Sequence, residues 1–317
     1  MLGLAHRLLQ LIGKNLGKQK LSILIYHQVL PDFDPMRPDE ATESVFRWHM
    51  ALISRYMTPI SLAEAMQGLR NNSLPQNAVC VTFDDGYINN LTVAQPILDE
   101  YQVPATVYIA TAFSDGKNMF NDRIFDLIGD TQRQRFDLKA IGLGEVDVSD
   151  YASRLDLSYQ IIRKTKYLHY ALRVETIDKL YKDNAAQEYP RRMMTSEQIK
   201  TLSDKGVEIG AHTHDHPILR TLDAAEQSEQ IAQSKSILEV ILDKGVTQFA
   251  YPNGKLDDDY SLETVEIVKQ CGFENAVSTL QGVSDSSTDV FQLQRFLPWD
   301  NHPLKFHTRL IHTLVKS

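Results

Sequence analysis

An α/β fold built on a parallel sheet, with a mainly helical insertion, follows from three features of the 317-residue sequence. Short apolar runs of strand length recur at 21–26, 78–83, 105–110, 207–210, 248–251 and 273–277. Amphipathic patterns of helical period separate them at 45–56, 61–69, 90–101, 196–205, 224–244 and 258–271. Between about 114 and 192 the alternation stops and only helical spacing persists, as in Phe120, Ile124, Leu127 and Ile128, then Leu155, Tyr159, Ile162 and Tyr167. Continuous apolar strands joined through helices form a sheet covered on both faces or closed into a barrel. In either architecture the functional groups belong at the C-terminal ends of the strands.

Taken in order, residues 1–20 form an amphipathic segment. Leu4, Leu8, Leu11 and Ile12 fall at helical spacing beside Arg7, Lys14, Lys18 and Lys20, which suits either an ordinary packing helix or weak attachment to a membrane surface. Its apolar run is too short and interrupted for a signal-peptide core, and no stretch approaches the ~18 to 20 apolar residues of a membrane span, so a cytoplasmic enzyme is expected. The main domain covers 21–300, with the helical insertion inside it, and 301–317 is read as a C-terminal tail. With 43% hydrophobic and 23% charged residues and a net charge of −8, the composition excludes disorder. The acidic balance argues against a nucleic-acid partner. Cys80 and Cys271 lack metal or redox spacing and suit core positions.

Two clusters carry the chemistry. In Val81-Thr82-Phe83-Asp84-Asp85-Gly86-Tyr87 an apolar strand runs into two adjacent carboxylates and a glycine. Consecutive strand side chains point apart, so one acid can bind a cation while the other handles protons. In Val207 to Pro217, three histidines fall within five positions after another strand. His212 and His216, four apart, can share one face and one metal, whereas His214 points away. Two imidazoles and a carboxylate leave coordination positions open, the mark of a catalytic site. Zn²⁺ suits that set best, and Fe²⁺ or Co²⁺ also fit; such a divalent ion performs metal-assisted hydrolysis.

Thr82-Phe83-Asp84-Asp85-Gly86-Tyr87 followed by His212-Thr213-x-x-His216-Pro217 resembles the first two motifs of the polysaccharide deacetylases, the NodB-homology group of carbohydrate esterases. The resemblance extends to Ile25-Tyr26-His27-Gln28-Val29, to Phe249-Ala250-Tyr251-Pro252-Asn253-Gly254 and to Cys271-Gly272-Phe273, and so covers roughly 20 to 300 apart from the insertion. It implies a distorted (β/α) barrel with fewer than eight strands. It also implies Asp85, His212 and His216 as metal ligands, Asp84 as general base and an N-acetylated saccharide as substrate. The Tyr251-to-Gly254 turn matches the third motif, which makes Tyr251 and Asn253 substrate-binding candidates and the Asn253 N–H the oxyanion donor.

The sequence departs from the family at Ala250, where an arginine usually orients the catalytic aspartate. Arg295, on a last strand in Leu293-Gln294-Arg295-Phe296, could reach the same carboxylate. His27 ends the first strand and is the candidate general acid or substrate ligand. The late Leu310-Ile311-His312 fits the letters of the family's acid-histidine motif but lies beyond the barrel. Trp299 could present its indole to a sugar ring or serve the core. A metal-dependent hydrolase removing N-acetyl groups from an amino-sugar glycan is the function these residues predict. The alternatives are a non-catalytic carbohydrate-binding barrel and a hydrolase of another non-peptide C–N bond.

Overall fold

The computed structural model describes residues 2–116 and 118–316. Among the described residues, seven parallel strands form the barrel path of the central sheet in chain order: β1 (Leu21–Tyr26), β2 (Ala78–Phe83), β3 (Ala105–Ile109), β4 (Glu208–Ala211), β5 (Gln248–Ala250), β6 (Asn275–Gln281) and β7 (Leu293–Arg295), and the two-residue strand Thr58–Pro59 adds to the start of β2 off that path. The sheet closes on itself just past β7. Phe296 N–H donates to the Ile23 carbonyl at 2.7 Å, and Ile25 N–H donates back to Phe296 at 3.1 Å. The result is a distorted barrel of seven strands, its seam held by the Leu24–Phe296 bridge and by Leu21, which exchanges two backbone hydrogen bonds with Ser284.

Side-chain alternation produces two apolar layers. Ala78, Cys80, Tyr108, Ala250, Val277 and Leu293 fill one cluster with Leu62, Ala65, Met66 and Leu69 of the helix Leu62–Asn71, which immediately precedes β2. Val79, Val81, Phe83, Val107, Ile109 and Phe249 belong to the other, packed beneath the surrounding helices. Burial on both faces explains why each strand reads as a continuous apolar run. The helices are α1 (Leu2–Leu16), α2 (Glu43–Tyr56), α3 (Leu62–Asn71), α4 (Gln95–Tyr101), α5 (Phe120–Gly129), α6 (Tyr151–Thr165), α7 (Tyr170–Asp183), α8 (Ser196–Asp204), α9 (Ala224–Leu242), α10 (Leu262–Gln270) and α11 (Pro303–Lys316). Reciprocal capping boxes start α3, α8, α9 and α10, fixing where the chain turns back along the barrel.

The insertion contains α5, α6 and α7 around its own core, including Leu127, Phe136, Leu157, Ile161, Ile177 and Leu180. It also holds a short antiparallel pair, Arg135–Asp137 with Glu145–Asp147, whose three-residue strands are too short to leave a period in the sequence. Buried ion pairs tie it to the barrel. Arg37 donates to Asp122 at 3.0 Å and Asp126 at 2.9 Å on α5, and the Tyr87 hydroxyl donates to Asp122 at 2.8 Å. Residues 303–316, read as a tail, form α11, which packs along α1 and buries Phe306, His307 and Leu310.

Candidate active site

A cavity of about 590 Å³ opens at the C-terminal ends of the strands, within the range of small-ligand sites. Two carboxylates enter it from the end of β2 in different surroundings. Cys80, Thr82 and Asp84 alternate with the outward Val79, Val81 and Phe83, which turns Asp84 toward the barrel axis. There Arg295 donates to Oδ1 at 2.7 Å and Oδ2 at 2.8 Å, while its Nε–H donates to the Ser278 carbonyl at 2.7 Å. Arg295 is 1% exposed, so the two-bond clamp is fully desolvated. Burial alone would raise the Asp84 pKa, but the guanidinium outweighs it and brings the carboxyl down to about 2.

The next residue has no such partner. Asp85 sits in the left-handed region at φ 76°, which swings its carboxylate off the strand's alternation. Its Oδ1 is buried without a hydrogen-bond partner and lies 3.5 Å from His212 Nε2 and 3.4 Å from His216 Nε2. Burial raises its pKa to about 7 despite His27 nearby. His212 Nδ1 is 2.7 Å from the Ala250 carbonyl, which assigns the proton to Nδ1 and leaves the Nε2 lone pair facing Asp85. Burial lowers the His212 pKa to about 4 and that of His216 well below its usual value, so both rings are neutral near pH 7. One orphaned carboxylate oxygen and two neutral imidazole nitrogens, with ligand atoms within 4.8 Å of one another, fit a divalent cation.

The other candidates divide. His27 lines the cavity; burial lowers its pKa, but Asp85, Glu40 and Asp84 together raise it above the usual histidine value. Asn253 also lines the cavity, at φ 59°, and among the described residues its N–H donates to no protein acceptor. Trp299 lies at the rim, 57% exposed, with the Arg309 guanidinium 4.5 Å from its ring centre, so at most one indole face is open.

Tyr251 requires correction. It is fully buried, stacked on Tyr260 at 3.9 Å, and its hydroxyl donates to the Phe291 carbonyl. Because Phe249 and Tyr251 are two apart, both face the helices, and Tyr251 is a core residue rather than a substrate ligand. His214 pairs with Thr111 at 2.9 Å, outside the ligand group, and His312 is exposed on α11 away from the cavity lining.

Sequence reasoning missed the wall that the insertion supplies. Phe120, Asn121, Phe125, Tyr159, Lys166 and Arg173 line the cavity from α5 to α7 and their connections. Arg173, 3% exposed, donates to the carbonyls of Asp215 at 3.1 Å and His216 at 3.5 Å. It thereby braces the loop in which His216 adopts φ 51°. Nothing in the helical pattern of α7 marks this arginine, because its partners lie more than 40 residues away.

Residues 71–141 and 162–276 match the polysaccharide deacetylase family profile, more than half of the chain. The chain belongs to the polysaccharide deacetylase family. Among its relatives is YxkH of Bacillus subtilis (strain 168), a candidate polysaccharide deacetylase, 23% identical over 277 residues, which cover 87% of this chain and 70% of YxkH. The poly-β-1,6-N-acetyl-D-glucosamine N-deacetylase of Staphylococcus epidermidis is 24% identical over 185 residues, 54% of this chain and 59% of that enzyme. The Streptococcus pyogenes deacetylase PplD, solved with acetate, shares the fold with a TM-score of 0.62 at 19% identity, covering 92% of this chain and 98% of PplD. Family membership makes the chain a deacetylase, a hydrolase of carbon–nitrogen bonds.

Proposed function

We propose that the enzyme removes N-acetyl groups from an amino-sugar glycan, with a divalent ion held by Asp85, His212 and His216. The observation that carries this reading is the contrast between neighbouring carboxylates: Asp84 clamped by Arg295, Asp85 left with an orphaned oxygen between two imidazoles. A bound ion would supply positive charge that acidifies water and polarises the acetamide carbonyl. Asp84, ionised and fixed in orientation by Arg295, accepts the proton of the attacking water. Its low pKa makes it a weak base, so Arg295 trades basicity for constant ionisation and geometry. The Asn253 N–H would donate to the tetrahedral oxyanion, a role supported by its residue lining the cavity. His27, its protonated form favoured by the surrounding carboxylates, donates to the departing amine. Trp299 and the aromatic wall of the insertion offer apolar faces to sugar rings. The S. epidermidis relative, which acts on an N-acetylglucosamine polymer by name, supports this substrate class.

Acetate release from N-acetylglucosamine oligomers tests the reading. Activity that disappears with a chelator and returns with Zn²⁺ or another first-row divalent ion is expected. Undiminished release after complete metal removal, or binding of oligomers with no release under any metal, would contradict it.

A further inference from the structure

The first 31 residues contain Arg7, Lys14, Lys18 and Lys20 and no acid, and residues 301–317 contain Lys305, Arg309 and Lys316 and no acid. The stretch between them therefore carries −15 of a chain whose net charge is −8. These two basic segments meet in space, where α1 packs along α11.

The surface of α1 divides into three stripes at 100° per residue. One is packed: His6 and Gly13 are buried, His6 stacks on Tyr56 and His307, and any side chain at Gly13 would strike Asn77 and Ile311. The second is apolar and exposed, with Leu4 at 75%, Leu8 at 59%, Leu11 at 56%, Ile12 at 38% and Leu16 at 41%. The third, bordering the apolar stripe, carries Arg7 and Lys14, with Lys18 following the helix on the same side. A helix held to the body by one face would leave five large aliphatic residues in water for no gain in stability.

We propose that α1 is an interfacial helix that docks the enzyme on an anionic lipid bilayer, the exposed leucines entering the headgroup boundary and the basic stripe contacting lipid phosphates. Charge complementarity selects this occupant. The acidic remainder of the chain is repelled by an anionic surface, so only the α1–α11 side can approach it. A second copy would instead bring the same basic residues against themselves.

The docked orientation follows from the fold. Gly13 abuts Asn77, which immediately precedes β2, and Asp84 follows the other end of that strand. Six residues of strand separate the two by roughly 20 Å. The cavity therefore faces away from the bilayer, toward polymer extending from the surface.

The test is co-sedimentation of the full chain with phosphatidylcholine vesicles, with and without phosphatidylglycerol, at low and high salt. We expect binding to the anionic vesicles, weakened by salt, and little to the neutral ones. Leu8→Glu/Leu11→Glu should reduce partitioning by at least about tenfold, with an unchanged circular dichroism spectrum and unchanged acetate release from soluble oligomers. Arg7→Gln/Lys14→Gln should weaken anionic binding and its salt dependence together. No binding to anionic vesicles, or equal binding by the Leu8→Glu/Leu11→Glu protein, would overturn the proposal. So would a concentration-dependent dimer in sedimentation velocity that this pair of substitutions abolishes while vesicle binding is absent, which would assign the stripe to a second copy.

Discussion

Two buried ionic clusters flank the cavity and differ in what they hold. Inside the barrel, Arg295 grips both oxygens of Asp84, and the pair sits beside the Asp85–His212–His216 group. Between barrel and insertion, Arg37 bridges Asp122 and Asp126, and Arg192 donates to Asp126 as well. The first orders a single reactive carboxylate on a frame already fixed by strand pairing. The second joins two separately packed bodies whose apolar cores do not merge. Buried charge thus fixes chemistry in one place and domain geometry in the other, and removing one partner from each should fail differently.

The largest expected effect is on turnover. Asp84→Asn keeps the size of the side chain and abolishes the base, so acetate release should fall by a factor on the order of 10² to 10⁴ with metal retained. Full activity in this variant would place the base elsewhere. Arg37→Ala should instead act on stability, because among the described residues Asp122 is left buried with the Tyr87 hydroxyl as its remaining hydrogen-bond donor. Breaking such a pair costs about 3 to 5 kcal/mol, and denaturant unfolding should show it as a loss of midpoint or as early release of the insertion. An unchanged midpoint would make the cluster incidental.

Arg295 sharpens the distinction further. Without the guanidinium, burial dominates at Asp84 and its pKa rises from about 2, so the acidic limb of the pH–rate profile should move to higher pH in Arg295→Ala. Arg295→Lys restores the charge but not the two parallel hydrogen bonds, and should recover part of the activity with a smaller shift. Identical profiles in the two variants would reduce Arg295 to a point charge.

The smallest effect concerns buried groups that are neutral rather than paired. Burial lowers the pKa of His307 to about 4 and that of His49 to about 3, against the ordinary histidine value of 6.5. As pH falls below about 6.5 the unfolded chain takes up protons that the folded chain refuses, so stability present at neutral pH declines toward pH 4. A midpoint lower at pH 5 than at pH 7 is expected, and His307→Phe should reduce the difference.

Much of this architecture was legible because the barrel strands are buried on both faces. Continuous runs such as 78–83 announce themselves without knowledge of their neighbours. The two motifs were legible because Asp84 and Asp85, and His212 and His216, are local in sequence. Tyr251 was misread because β5 has only three residues, too few to reveal which side of the sheet its neighbour faces. The Arg37 cluster and Arg173 were hidden for another reason: each joins residues 42 to 89 positions apart, and hydrogen-bond geometry at that range leaves no periodic trace. Even so, Arg295, 211 positions from Asp84, could be nominated, because both close parallel strands of one barrel and the usual arginine position holds Ala250.

The central claim is that two adjacent carboxylates divide the labour, Asp85 with the ion and Asp84 with the proton. Metal content of the purified protein and its variants tests this most directly, measured by elemental analysis beside acetate release. The account predicts close to one divalent ion per chain in wild type and in Asp84→Asn, which has lost turnover, and loss of the ion in His212→Ala and in His216→Ala. Full metal occupancy in both histidine variants, or loss of metal in Asp84→Asn with its fold intact, would contradict it.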